Sequence, residues 1–332
     1  MMWLFAALAS LACFLASLLG TRAALGFLER RAILDHPNER SSHARPMPRG
    51  GGLALMGVLL PAWLLIALLA PGADGGMIWP LAAALALAAV SWRDDLAALP
   101  VSLRLLAHTA AITVGMLAFR HTGPVFQGLF PLWLDRLAAG FLWLWFLNLF
   151  NFMDGIDGIT GSETACLGIG AALVATLAGQ GSALPLYGLT AAAAALGFLY
   201  WNWQPARIFI GDVGSVPLGY LLAWLLLELA GRGMWAAALL LPLYYLADAS
   251  LTLLLRLKRG ERIWRAHRQH FYQKAVQGGL SHARVVAAIL PVNAVLLGLA
   301  LWATLQAPWL PLALGGLAVA GLLAYLGTRT GG

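Results

Sequence analysis

The chain has 332 residues, 61% of them hydrophobic and 11% charged, with a mean hydropathy of +0.80. Soluble domains carry about 25% charged residues, so this composition excludes a soluble globular enzyme and indicates a polytopic membrane protein. The net charge of +7 fits a cation bias toward one membrane face and anionic lipid headgroups, and with no aromatic-plus-basic module in the sequence it gives no case for nucleic acid as a partner.

Eleven apolar stretches are long enough to cross about 30 Å of hydrocarbon, within a range of ten to twelve. They fall near residues 3–27, 52–70, 77–92, 104–120, 132–152, 163–180, 183–203, 213–230, 234–255, 284–305 and 308–327. Unpaired backbone groups in lipid cost several kcal/mol each and no alternating barrel pattern is present, so the spans are helices and the fold class is all-α. The first span has no positive n-region and exceeds an h-region, so it is expected to be a retained helix rather than a signal peptide. Of the 21 Lys and Arg, all except Arg120, Arg136 and Arg232 lie on connections following odd-numbered spans or at their ends. That bias predicts an outward N-terminus and a cytoplasmic C-terminus in one integral-membrane domain, 1–332. The cytoplasmic loops are then expected near 29–51, 92–103, 152–163, 203–214 and 256–283.

In chain order, the first cytoplasmic loop combines cations, among them Arg45 and Arg49, with Pro46, Pro48 and the glycines 50–52; His43 lies in the same loop. The third span ends at Asp94-Asp95, where adjacent carboxylates raise one another's pKa and suit one of them to accept a proton. His108, in the fourth span, reads as a satisfied core histidine, and Cys13 and Cys166 as packing residues within spans.

The fifth span ends in Asn148-Leu-Phe-Asn151-Phe-Met-Asp154-Gly-Ile-Asp157-Gly158. Spacing by three puts Asn148, Asn151 and Asp154 on one face of the helix end, and Gly155 and Gly158 let the backbone leave the helix. Two carboxylates about 4 Å apart repel by about 4 kcal/mol at an effective dielectric of 20, which calls for a cation between them. Carboxylates select hard cations, and no Cys lies near to make a zinc site.

Before the eighth span, Gly211-Asp212-Val213-Gly214-Ser215 offers backbone N–H groups and the Ser215 hydroxyl to a phosphate at a helix N-terminus. Glu228, at the far end of that span, reads as interfacial. Asp248, inside the ninth, costs about 3 kcal/mol at the bilayer centre and needs a partner. It either orders a site near the cytoplasmic half or serves packing alone. The last cytoplasmic loop contains His267-Arg268-Gln269-His270-Phe271-Tyr272-Gln273, whose histidines suit a substrate phosphate better than a metal.

The ordered set Asp-Asp, Asn-x-x-Asn-x-x-Asp-Gly-x-Asp-Gly, Phe-x-Gly-Asp-x-Gly-Ser and a late His-containing loop resembles the polyprenyl-phosphate N-acetylhexosaminyl-1-phosphate transferases, glycosyltransferase family 4. The likeness runs from the Pro37–Gly52 loop through His270. It implies a bacterial inner-membrane enzyme that moves a sugar-1-phosphate from a UDP-N-acetyl sugar to undecaprenyl phosphate and releases UMP. Both substrates are polyanions, one in the bilayer and one in the cytosol, which places the reaction at the inner interface and calls for a divalent cation. By resemblance, Mg²⁺, with Mn²⁺ substituting, is held by Asp212 with Asp154 and Asp157. Asp94 or Asp95 takes the proton of the lipid phosphate, and Asn148 and Asn151 position the diphosphate. His267, Arg268 and His270 bind the donor diphosphate and stabilise the leaving UMP, so that the catalytic set is Asp94, Asp95, Asp154, Asp157, His267 and His270. Arg45, Arg49, Gly211 and Ser215 complete the substrate contacts, and the resemblance allows a homodimer.

Two features depart from the family. It often has a basic residue shortly after the Asp pair, where this chain has Leu96-Ala97-Ala98 and Arg104 as the next cation. The late loop has neither the triple-His form of the peptidoglycan enzyme nor the His-x-His-His form of the GlcNAc-1-phosphate enzyme, and it looks closer to members that initiate O-antigen and other surface polysaccharides, with a peptidoglycan or enterobacterial-antigen type member as the alternative. Two other classes compete. An intramembrane prenyltransferase needs Asp motifs of wider spacing, and a transporter needs charges at mid-bilayer and an internal repeat, where here only Asp248 fits.

Overall fold

The computed structural model describes residues 2–37, 45–70, 72–73, 75–121, 123–179, 183–262 and 267–328. His43, together with Arg40, Arg265 and Arg329 of the charge bias, lies outside the described residues. The protein is a polytopic helical membrane protein. Its long helices are α1 (Met2–Arg30), α2 (Gly52–Leu69), α3 (Ile78–Leu96), α4 (Val101–Gly115), α5 (Leu132–Phe152), α6 (Ile159–Leu177), α7 (Leu184–Asn202) and α8 (Asp212–Leu229). Then follow α9 (Trp235–Leu240), α10 (Leu243–Lys258), the short α11 (Phe271–Gln277), α12 (His282–Leu305) and α13 (Trp309–Gly327). Two dipeptide strands, β1 (Leu34–Asp35) and β2 (Met47–Pro48), pair antiparallel between α1 and α2.

Each of the eleven expected spans coincides with helix. Nine helical stretches among the described residues are long and apolar enough to cross a membrane, with Asp212–Leu240 counted as one. α5 falls outside that set because it carries Asp135, Arg136, Asn148 and Asn151, and α10 because it has 16 residues. The expected ninth span is two helices, since Pro242 supplies no N–H to continue the ladder from α9 into α10.

α8 is the axis of the bundle. Every residue from Val213 to Leu229 is buried, and an all-round apolar helix is stable only where other helices enclose it. α3 and α5 pack along it, while α7 packs between α1 and α6 on another side. Glu228, expected at an interface, is buried at the end of α8 and pairs with Arg232 at 3.4 Å. The start of α8 meets the C-terminal ends of α3 and α5, so the three acidic breaks lie at one end of the bundle.

Candidate active site

The site is organised by a backbone zipper between two loops distant in sequence. Phe209 N–H donates to Pro48 O at 2.8 Å, Gly50 and Gly51 N–H donate to Phe209 O at 3.1 and 2.8 Å, and Gly52 N–H donates to Ile210 O at 2.8 Å. This fixes Arg49 at the start of α8. Its guanidinium lies 2.9 Å from Asp95 and 3.0 Å from Asp212. Burial opposes the charge on Arg49, but the carboxylates of Asp212, Asp95 and Asp35 outweigh it and raise its pKa. Gly211 adopts φ +71°, and a Cβ there would sit 2.7 Å from the Asp95 carboxylate.

The two carboxylates at the end of α3 have different surroundings. Asp95 is fully enclosed and accepts hydrogen bonds from the backbone N–H of Asp212 at 3.0 Å and Val213 at 2.9 Å. It therefore occupies helix-terminal donors that the sequence offered to a phosphate, and the Ser215 hydroxyl is likewise turned inward, donating to Asn151. Asp94 instead borders a cavity of about 310 Å³, accepting from Leu99 N–H and pairing with Arg104 at 3.3 Å. Arg104, from α4, thus supplies a cation beside the Asp pair.

Asp212 also borders this cavity, with its carboxyl within hydrogen-bonding reach of Asp94. Asn148 and Asn151 line it as well. Asn148 donates to Leu144 O at 2.7 Å and its side-chain oxygen lies 3.2 Å from His108 Nδ1, which makes His108 a lining residue as well as a satisfied one. Asp154, just past α5, accepts from the Thr160 hydroxyl. Burial pushes it up to about 7; Asp212 and Asp95 add to the shift, and Thr160 and Arg49 oppose it. The cavity is also lined by Val101, Leu105 and Phe141, all exposed on the outer surface of the bundle.

Asp157 does not join this group. It accepts from Ala206 N–H at 3.1 Å and lies 3.2 Å from His282 Nδ1, so it ties the α5–α6 turn to the start of α12. Among the described residues no three His, Cys, Asp or Glu side chains form a metal cage. The expected set of Asp212, Asp154 and Asp157 is therefore not one cluster. Asp94 and Asp212 are hard oxygen donors on the same cavity, and the Asp212 charge acts on Asp154.

The late loop forms a second group. His270 is buried and lies 3.3 Å from Asp248, and the His267 and His270 rings are 4.8 Å apart. Burial, with His270 and Arg256 nearby, pushes His267 down to about 4, so its ring is neutral near pH 7. Gln269 N–H donates to its Nδ1 at 3.3 Å, which leaves Nε2 to carry the proton. Arg268 is half-buried and Arg45 is exposed. Arg256, which charge bias alone explained in the sequence, is buried and braces this loop through Glu261 at 2.8 Å and the carbonyl of Arg262 at 3.1 Å. His282, Thr160 and Arg104 are site residues that sequence reasoning did not select. Of these, Arg104 carried a signal, as the first cation after the Asp pair.

An acidic and cationic cavity at one end of a buried axial helix, opening toward the lipid-facing surface, defines a class: a polytopic membrane protein with a polar centre at the interface. Residues 77–230 match the family described as Glycosyl transferase family 4. That match and the relatives below support the resemblance to the polyprenyl-phosphate N-acetylhexosaminyl-1-phosphate transferases. It is 26% identical to a probable undecaprenyl-phosphate N-acetylglucosaminyl 1-phosphate transferase of Bacillus subtilis, over 83% of this chain and 80% of the relative. It is 28% identical to a decaprenyl-phosphate N-acetylglucosaminephosphotransferase of Mycobacterium tuberculosis, over 78% of this chain and 73% of the relative. A phospho-N-acetylmuramoyl-pentapeptide-transferase of Synechococcus is 34% identical over 52% of this chain and 50% of the relative, so the chain matches about half the length of that protein.

Proposed function

We propose that this chain transfers an N-acetylated amino sugar-1-phosphate from a UDP-sugar to undecaprenyl phosphate at the cytoplasmic face of a bacterial inner membrane. UMP is released, and the diphosphate-linked lipid sugar starts a surface polysaccharide such as O-antigen. The observation that carries the reading is the cavity itself, lined at once by the polar Asp94, Asp212 and Arg104 and by the exposed apolar Val101, Leu105 and Phe141. A lipid phosphate can enter from the apolar side while a nucleotide sugar enters from the aqueous end.

In this reading Asp94, rather than the enclosed Asp95, accepts the proton from the lipid phosphate, and Arg104 holds that phosphate beside it. The phosphate oxygen attacks the sugar-bearing phosphorus of the donor, and the bond from that phosphorus to the UMP oxygen breaks. Neutral His267 donates a hydrogen bond to the diphosphate, with Arg268 of the same loop as a second contact. Asp212 would hold Mg²⁺, or Mn²⁺ in its place, with Asp154 alongside; such an ion would offset the charge of the diphosphate.

The test is UMP release by purified protein given Mg²⁺, undecaprenyl phosphate and a panel of UDP-N-acetyl sugars. Silence with every donor would overturn the proposal. The muramoyl relatives favour a second reading, transfer of phospho-N-acetylmuramoyl-pentapeptide. Release from that donor alone would establish it, whereas the longer matched lengths of the N-acetylglucosaminyl relatives support the first.

A further inference from the structure

Asp248 is enclosed within α10, where an isolated carboxylate is costly. It is surrounded by donors. Phe271 and Tyr272 N–H donate at 3.0 and 3.2 Å and the hydroxyls of Tyr244 and Thr252 at 3.2 and 3.3 Å, while His270 Nδ1 lies 3.3 Å away in contact but without a hydrogen bond. Three of these groups belong to the start of α11. A helix of seven residues is too short to hold its own geometry, so its placement is imposed by such contacts.

The contacts lead toward the acidic cavity. Tyr272 is fully buried and its hydroxyl donates to Phe152 O at 3.1 Å, at the end of α5 and two residues before Asp154. A Cβ on Gly155 would sit 2.2 Å from that hydroxyl, so glycine at 155 makes room for it. The His270 ring lies 17° from parallel with Tyr272 at 5.7 Å, and His267 is next to His270. Asp248 therefore holds one end of a rigid unit whose other end rests on the Asp154 turn.

We infer that Asp248 is a positioning residue: through His270 and the start of α11 it sets the distance between the late histidine loop and Asp154. The inference rests on the reading that this loop binds the nucleotide-sugar diphosphate. Asp248 touches neither substrate in this account, and its effect passes through His270, Phe271 and Tyr272.

The test uses Asp248→Asn in the full-length protein, which removes the charge and replaces one acceptor oxygen by a donor. UMP release should fall about 10- to 100-fold with KM for the UDP-sugar raised and KM for undecaprenyl phosphate within about twofold of wild type. In a His270→Ala background the same substitution should cost several-fold less than in wild type, because the path through His270 is cut while the Phe271 and Tyr272 N–H contacts to Asp248 remain. Full additivity of the two losses, or equal shifts in both KM values, would overturn the inference. Tyr272→Phe leaves the carboxylate and the ring in place and should give the same KM split at smaller amplitude; an unchanged donor KM would count against the strut. Hydrogen exchange of residues 267–277 without substrate separates this inference from the functional reading. Faster exchange at Phe271 and Tyr272 in Asp248→Asn supports the anchor even if no donor releases UMP, and unchanged exchange refutes it even if one does.

Discussion

Asp95 caps the helix that Asp212 begins: its carboxylate accepts the Asp212 backbone N–H at 3.0 Å while Arg49 bridges the two side chains. The adjacent Asp94 borders the cavity instead. Substituting the two by Asn should therefore separate stability from turnover. Asp95→Asn should lower stability by about 1–3 kcal/mol, seen as a drop in Tm in detergent. Asp94→Asn should leave Tm within a degree or two and cut UMP release by about 10²- to 10⁴-fold. The opposite pattern would reassign the proton acceptor to Asp95.

Arg49 is charge-neutralising as well as geometric. Arg49→Ala leaves the enclosed Asp95 without its ion-pair partner, and removal of one partner from such a pair costs about 3–5 kcal/mol. Arg49→Lys should recover part of that, since a single ammonium cannot reach both carboxylates in the fork geometry of Arg. A thermal unfolding series of the three proteins checks the order wild type, Lys, Ala.

Asp212 and Asp157 are both expected metal ligands from the sequence, and their surroundings differ. Asp212→Asn should abolish turnover and weaken metal dependence. Asp157→Asn should keep the wild-type Mg²⁺ half-saturation while lowering Tm, because its partners are Ala206 N–H and His282. UMP release titrated against Mg²⁺ distinguishes them, and a shifted half-saturation in Asp157→Asn would restore that residue to the metal set.

His267 gives a pH signature. Its folded pKa, about 4, lies below the ordinary 6.5, so the folded protein binds its proton more weakly than the unfolded chain does. The associated stability is fully present above pH 6.5 and is lost as pH falls toward 4. Tm measured from pH 7 to 4 should fall more steeply for wild type than for His267→Gln. Equal slopes would mean that His267 titrates as an exposed histidine.

Local spacing was legible where the chemistry is local. Asn148 and Asn151 recur at a helical interval, and both do line the cavity, because the end of α5 stays helical through Phe152. The co-location of the acidic breaks was legible too, from span counting alone. What could not be read was the division of labour between neighbours. Successive helical residues point about 100° apart, so whether Asp94 or Asp95 turns toward α8 depends on how α3 packs. The partner of Asp157 is His282, 125 positions along the chain, and no periodicity links them. For Asp248 the sequence showed that a carboxylate in a span needs a partner, yet the partners are backbone groups of a segment that only folding brings near.

The enclosure of α8 has a bearing on how this protein meets different bilayers. Asp212 rides on a rod that no acyl chain touches, whereas α1 and α13 expose much of their surfaces. Thicker or thinner lipid is then accommodated by peripheral helices leaning, at fractions of a kcal/mol per Å, while the reacting groups keep their mutual spacing. Such an arrangement insulates chemistry from membrane composition and leaves composition to act on acceptor delivery.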